Sequence, residues 1–496
     1  MTHRRRLHAV LCAATFLVSP GVALADPRDD RIKALEQKLE ALGAEIKALR
    51  AEQAAEKPAQ AAPAAPPRVT AQAAVAPQPA AGGAGAAILN VANGRPTFST
   101  ADGATTLSIR TLLQYDMSYF MQSGRSASGT DLASGSNFRR ARIGVEGKLF
   151  GDWFYSFLYD MGSGGTEVAK LADAYIQYDG FAPFHIRTGS FVSPQGIEDQ
   201  TGSGDLLFLE RAASTDLARS LAGGDGRKNF LNIFAQSTDY YASLTWSGAK
   251  NADPLTFDQQ QALVARLSGR VYKDSDTNVV ISANGSHIFK IADTATSPAG
   301  PSAINFQNSP ENTVDGTRLI STGAINASRA LVYGLETAAN HRNFYIQGGY
   351  YGYGITRRAS TLSNPQFDGW YVQGSWVMTG ETRPYVAATS TFGSPRAAHP
   401  FNFKGEGIGA WELTARFSVL DLNYKAGLAG LTAGADAVRG GRQEGLTVGV
   451  NWYPISAVRF LLDFQHLDID HIAPATPFAQ IGQKVDITTA RAQLAF

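Results

Sequence analysis

Residues 446–465 read Leu446-Thr447-Val448-Gly449-Val450-Asn451-Trp452-Tyr453, a break at Pro454-Ile455-Ser456-Ala457, then Val458-Arg459-Phe460-Leu461-Leu462-Asp463-Phe464-Gln465. Leu446, Val448, Val450 and Trp452 take every second position of the first half, and Val458, Phe460, Leu462 and Phe464 do so in the second. Successive side chains of a strand point to opposite faces, so each half is an amphipathic strand and the two make a hairpin.

The same rhythm continues outward. Trp411, Leu413, Ala415, Phe417 and Val419 alternate with Glu412, Thr414, Arg416 and Ser418, and Ala141, Ile143 and Val145 alternate with Arg142, Gly144 and Glu146. A soluble sandwich shows this pattern too. In lipid, however, every backbone polar group needs an internal partner, which only a closed barrel supplies to strands. Two features favour the barrel. The chain ends on a strand whose last residue is Phe496, with Leu494 and Ala492 on the same face. Connection lengths also alternate between short and long. Taking 317–328 as part of a long external loop leaves an all-β fold of about sixteen antiparallel strands, an even number that puts both ends on one side; eighteen remains open. The short turns, at 151–152, 179–180, 237–239, 273–277, 341–343 and 454–456, are then periplasmic. The long connections at 120–137, 192–228, 290–330, 422–442 and 470–485 are external. The connection 380–408 is long on the short-turn side, and the pattern gives it no explanation.

Ahead of the barrel the composition changes. Arg4-Arg5-Arg6, an apolar run from Leu7 to Val18 and Ala23-Leu24-Ala25 form a secretory signal over 1–25, cleaved before Asp26. The one cysteine, Cys12, lies inside it, so the mature chain has no disulfide and no thiolate ligand. Ile32, Leu35, Leu39, Leu42, Ile46 and Leu49 follow a heptad, which predicts a short coiled coil within 26–57, or a single amphipathic helix. Residues 58–100 are rich in Ala and Pro and are expected to be a spacer, with the barrel filling 101–496. A net charge of +1 in 496 residues argues against nucleic acid as a partner.

Several blocks, in this order, resemble the phosphate-selective porin O and P family. They are Phe138-Arg139-Arg140-Ala141-Arg142, Lys148-Leu149-Phe150-Gly151-Asp152-Trp153, the stretch Gly189 to Arg211, Thr379-Gly380-Glu381, Gly409-Ala410-Trp411-Glu412-Leu413 and Gly449-Val450-Asn451-Trp452-Tyr453. The resemblance covers roughly 100–496. It implies a sixteen-stranded trimeric barrel in the outer membrane, a third external loop folded into the pore and a lumen lined by arginines.

Reading the lumen as the polar face of each strand gives the cations Arg110, Arg140, Arg142, Lys148, Arg187, Arg266, Arg270, Arg416, Arg459 and Arg491. The acids are Asp116, Glu146, Asp160, Asp173, Glu336, Glu412 and Asp463. Cations prevail, and wall charges of one sign offset the dehydration of the opposite ion. Arginine suits oxyanions because its planar fork donates two hydrogen bonds and stays ionised. Arginines can equally be paired to carboxylates simply to fill and stiffen a barrel. Arg140 and Arg142 belong to a matching block and are read as the entry for anions. The constriction is expected from 192–228, with Arg211, Arg219, Arg227 and Lys228 against Glu198, Asp199, Asp205, Glu210, Asp216 and Asp225; Glu210-Arg211 is also read as pinning this loop to the wall. The resemblance leads one to expect a lysine in this loop for phosphate specificity, and none precedes Lys228, so other organic acids are as good a reading.

His185, His287, His341, His399, His466 and His471 show no metal spacing, and no Gly-rich phosphate cradle is present. The expectation is therefore a diffusion porin without cofactor or catalysis, passing phosphate or organic acids, associated with outer-membrane lipid and assembled as a homotrimer. The alternative is a structural protein that tethers the membrane to the cell wall through its N-terminal helix.

Overall fold

The computed structural model describes Ala44 and Lys47, both helical, and residues 87–92, 94–123, 132–162, 170–222, 229–248, 258–294, 300–428, 431–472 and 480–496. The secretory signal, nearly all of the heptad segment and the spacer as far as residue 86 lie outside these residues. The chain divides into two compact units, Met1–Ala80 and Ala81–Phe496, and every strand named here falls in the second.

Sixteen strands form the wall: β1 Thr106–Ser123, β2 Gly135–Leu149, β3 Trp153–Asp160, β4 Lys170–Phe181, β5 Phe184–Ser190, β6 Asn229–Gln236, β7 Tyr240–Ser247 and β8 Gln261–Lys273. They continue with β9 Thr277–Lys290, β10 Ile325–His341, β11 Phe344–Arg357, β12 Gln366–Val377, β13 Ala410–Tyr424, β14 Val438–Ile455, β15 Val458–Ile472 and β16 Gln480–Ala495. Each strand pairs antiparallel with its neighbours, and β16 closes on β1, Gln493 opposite Gln114. Closure removes the free edge that lipid could not satisfy.

Burial is inverted relative to a soluble protein. Leu446 is 50% exposed while its neighbour Thr447 is 3% exposed, and Phe460, Leu462 and Phe464 point out while Arg459, Asp463 and Gln465 are buried. The two-residue period therefore puts an apolar face against lipid and a polar face inward, as read from the sequence. Short turns lie at one end of the barrel, between β2 and β3, β4 and β5, β6 and β7, β8 and β9, β10 and β11, and β14 and β15. The start of β1 and the end of β16 lie there too, which makes this the periplasmic end. An outward aromatic band runs near it: Trp411 stacks on Trp452, Trp452 on Phe460, and Phe344 on Trp376. Such bands sit where membrane meets water.

Ordered structure starts earlier than residue 101. A hairpin of Ile88–Ala92 and Arg95–Ser99 lies inside the range assigned to the spacer, and it extends β1 by pairing Thr97 with Ser108 and Ser99 with Thr106.

The lumen is largely filled by three segments. The connection 191–228 enters from the external end and carries α1 Ile197–Gln200 and α2 Ala213–Leu221. The connection 291–324 packs Phe306 and Ile320 into an apolar cluster with Leu217, Tyr353, Phe367 and Leu422. The third is the stretch 378–409, long on the short-turn side. It folds back into the barrel, where its short hairpin Tyr385–Val386 and Thr391–Phe392 packs Phe392 beside Ile197 and Phe208. That accounts for its length: it is an inward plug rather than a turn.

Candidate functional site

Neither helix inside the barrel supplies its own cap. At α1 the backbone N–H groups of Ile197 and Glu198 donate to the Glu336 carboxylate on β10, at 2.5 and 3.2 Å. At α2 the Ala213 N–H donates to Glu311 at 2.7 Å, and the Ala212 N–H donates to Glu198. Negative groups at helix N-termini satisfy orphan donors and oppose the positive end of the dipole. The wall and the second insert thus position the constriction loop.

Arginines hold the other side. Arg459 donates to the carbonyls of Leu206 (2.7 Å) and Leu207 (2.9 Å), and Arg491 donates to Leu209 O (2.7 Å) while pairing with Asp116 (2.6 Å). Arg416 donates to Glu210 O (2.9 Å) and pairs with Glu311 (2.5 Å). Glu210 itself receives Arg139 (2.6 Å), Arg140 (3.3 Å) and Arg491 (3.4 Å). Burial would push its carboxyl up, but the three guanidinium groups outweigh burial and hold it well below the usual carboxylate range. Arg139 reaches Glu210 because of a β-bulge: Gln114 faces Arg140 and Tyr115 faces Phe138, so the register skips Arg139 and turns it inward.

What stays open is a cavity of about 600 Å³ between the loop, the 88–99 hairpin, β1, β2, β4, β5, the β14–β15 hairpin, β16 and the plug. Eight arginines line it: Arg95, Arg110, Arg142, Arg187, Arg211, Arg219, Arg396 and Arg459. The acids among its described lining are Asp173, Asp199 and Asp205, and no lysine is among them. Arg110 pairs with Glu146 (3.2 Å) and Asp173 (3.3 Å), Arg142 with Asp160 (2.7 Å), Arg219 with Asp199 (2.9 Å) and Arg95 with Glu146 (2.6 Å). Among the described residues, Arg187, Arg211, Arg396 and Arg459 have no carboxylate within ion-pair distance. Arg187 lies over the ring of Tyr175 at 4.4 Å and takes Gln177 as its hydrogen-bond partner.

The residues singled out from the sequence therefore separate into two groups. Arg110, Arg142, Arg187, Arg459, Arg211 and Arg219 come together on the cavity. Arg140 does not: it is 2% exposed and held between Gln114 and Glu210. Arg266 donates to the carbonyls of Thr389 and Ser390, and Arg270 pairs with Asp239, so both secure the plug end of the barrel. Arg416 is buried against Phe208. Arg227 and Lys228 lie outside the described residues. Glu210 pins the loop to the wall, whereas Arg211 binds the loop to itself through Glu198 O, Asp199 O and Thr201 O. Arg95 and Arg396 escaped the sequence reading because neither lies on a barrel strand.

Burial raises the Glu198 carboxyl to about 7, against the pull of Arg416 and Arg211. A raised acid binds its proton more tightly when the loop is seated than when it is not. The stabilising contribution is therefore present below the ordinary carboxylate pKa, about 4.3, and is lost as pH rises through about 7. Open-channel current noise should rise between pH 5 and 8, and Glu198→Gln should make the noise insensitive to pH over that window. A variant with unchanged pH dependence would assign it to another group.

A model of the family described as "Phosphate-selective porin O and P" matches residues 110–496. An uncharacterized protein of Caulobacter vibrioides is 26% identical over 514 residues, covering 98% of this chain and 95% of that one. Porin O of Pseudomonas aeruginosa is 25% identical over 405 residues, covering 78% of this chain and 89% of that one. Among solved structures, an anion-selective porin from Comamonas acidovorans superposes with a TM-score of 0.47 at 10% identity, over 79% of this chain and 100% of that one. The outer membrane channel DcaP of Acinetobacter baumannii gives 0.44 at 8% identity, over 80% of this chain and 99% of that one.

Proposed function

Because the chain belongs to the phosphate-selective porin O and P family of outer-membrane porins, we propose that its barrel passes small anions by diffusion through the arginine-lined cavity. The observation that carries the reading is the side-chain charge around that cavity: eight arginines against three aspartates among the described lining residues. An anion entering it exchanges part of its hydration shell for guanidinium N–H donors, and a cation meets repulsion. The driving force is the solute's own gradient, and the protein carries out no chemistry.

Inorganic phosphate and small organic acids are both admitted by this lining. Arginine forks suit either, and the absence of lysine among the described lining residues gives phosphate no added preference. The role in passage is assigned to Arg110, Arg142, Arg187, Arg211, Arg219 and Arg459, joined by Arg95 and Arg396. Arg140, Arg266, Arg270 and Arg416 are assigned to holding the inserts. The mature protein is organised as an N-terminal helix over 26–57, a spacer and the barrel, and it assembles as a homotrimer. Chemical cross-linking of outer membranes should yield a product of three chains, and monomers alone would refute that assembly.

Reversal potential across planar bilayers in a KCl gradient tests the anion reading. The wild type should favour chloride. Losing one cavity charge such as Arg187, by Arg187→Gln, removes about 1 kcal/mol of interaction at a distance of several ångströms, or about fivefold in the permeability ratio. Preference for potassium in the wild type would overturn the assignment.

A further inference from the structure

A second basin lies at the external end of the barrel, apart from the arginine cavity. It has a volume of about 920 Å³ and is formed where β10 begins, β11 ends, β14 begins and β15 ends, together with residues 321–324, 358–362 and 432–437. Its arginines are Arg357, Arg358 and Arg439, His471 lines it beside them, and no aspartate or glutamate is among the described lining residues. Arg357 donates to Ser363 O and Asp436 O, each at 3.0 Å, and Arg358 donates to Pro301 O at 3.1 Å. Carbonyl oxygens fix the direction of these groups but carry no full charge to neutralise them. Two acids adjoin this lining in sequence: Asp436 has its carboxylate engaged by Lys425 at 2.6 Å and by Ser363, and Asp470 is exposed. Arg439 is steered in the same manner, by Ala426 O (2.8 Å) and Leu431 O (2.7 Å).

The basin is a dead end. Its floor is Ile325 and Val438, both buried and both part of the apolar cluster in which Phe306, Ile320 and Leu422 fill this side of the lumen. It shares no lining residue with the arginine cavity. A basic pocket closed below by hydrocarbon retains an anion instead of conducting it.

The rest of the lining narrows the chemistry. Ser321, Thr322, Asn326, Ser360 and Thr432 supply hydroxyl and amide groups, and Ile325, Leu362 and Val438 supply apolar surface. Guanidinium groups suit a phosphate, neutral donors suit hydroxyls, and apolar patches suit the C–H face of a sugar ring. The volume far exceeds that of a bare phosphate ion. We propose that this external basin is a binding site for a phosphorylated sugar, with Arg357 and Arg358 holding the phosphate. That ligand has two possible sources outside the cell: the phosphorylated core sugars of the lipopolysaccharide that surrounds the barrel, or a free sugar phosphate. This inference does not depend on the selectivity of the pore.

The test is calorimetric titration of the full-length protein, refolded in detergent without lipopolysaccharide. The probes are glucose 6-phosphate, phosphorylated lipopolysaccharide core oligosaccharide, and the same oligosaccharide after phosphatase treatment. Saturable binding of either phosphorylated probe, absent from the dephosphorylated one, supports the proposal. Binding of glucose 6-phosphate marks a free solute, and binding of the core oligosaccharide alone marks the lipid. Arg357→Gln with Arg358→Gln should weaken binding about 10- to 100-fold, the loss expected for charge-assisted hydrogen bonds. Unchanged single-channel conductance in that variant would show that the barrel is intact. No heat with any probe at millimolar concentration, or equal affinity in the variant, overturns the proposal. Inorganic phosphate binding as tightly as both sugar phosphates would overturn the sugar assignment.

Discussion

Arg110→Gln combined with Arg142→Gln should convert the channel from anion-preferring to cation-preferring. Arg110 offsets Glu146 and Asp173, and Arg142 offsets Asp160. Glutamine can still donate to those carboxylates, so the wall stays hydrogen-bonded while the charge disappears. Two positive charges are lost and the acids behind them are exposed to the permeating ion. Arg95 still serves Glu146, and no other cation pairs with Asp160 among the described residues. At roughly 1 kcal/mol for each unit charge a few ångströms from the ion, the summed change is about 2 kcal/mol, enough to invert a moderate preference. The reversal potential in a KCl gradient should change sign. Arg140→Gln is the contrast: that side chain is buried away from the cavity, so it should leave the reversal potential where it was. If Arg140→Gln moved the potential as far as the double variant did, the path of the ion would have to run elsewhere.

That contrast marks what a sequence alone could reach. The two-residue period of 446–453 and 458–465 suffices to place Thr447 inward and Leu446 outward, because lipid and lumen differ so sharply. Closure, sixteen strands and the insertion of 192–228 follow from the same pattern together with the resemblance. Strand parity also put Arg142 and Arg140 on one face, correctly, yet it could not tell a guanidinium at an open cavity from one buried against a loop. That distinction rests on contacts such as Arg459 with Leu206 O and Arg491 with Leu209 O, between residues more than two hundred positions apart. A bulge opposite Gln114 breaks parity locally and turns Arg139 inward, which alternation forbids. Arg95 and Arg396 were missed for a different reason. They belong to a hairpin beside an Ala/Pro-rich stretch and to a long connection on the short-turn side, and a reading confined to strand faces passes over both. The length of 380–408 was the available signal. A connection too long to cross two adjacent strands, at the end where others need only two or three residues, has to go somewhere, and the lumen had room for it.

Glu210→Ala should loosen the constriction itself. This carboxylate is where Arg139 and Arg140 of β2 and Arg491 of β16 meet the loop, while its own carbonyl receives Arg416 of β13. Removing it leaves buried guanidinium groups facing one another. Arg491 keeps Asp116 and Arg140 keeps Gln114, but the charge that made their approach favourable is gone. Breaking a buried pair of this kind costs about 3–5 kcal/mol, more than the one or two hydrogen bonds that tie the neighbouring Leu209 to the wall. The loop would not leave the barrel, since Glu336 still holds α1 and Glu311 still holds α2. The stretch 206–212 is what should come away, and with it Arg211, which lines the cavity next to residues 199–205. Single-channel recordings should then show a larger mean conductance with open-channel noise well above wild type. Glu210→Gln, which loses the charge and keeps a hydrogen-bonding shape, should fall between the two. Heat-modifiable mobility on gels should remain that of a folded barrel, because the ladder from β1 to β16 is untouched. Quiet, wild-type openings in Glu210→Ala would mean that the carbonyl contacts of Arg459, Arg416 and Arg491 are sufficient to seat the loop, and that the carboxylate serves to neutralise the arginines around it.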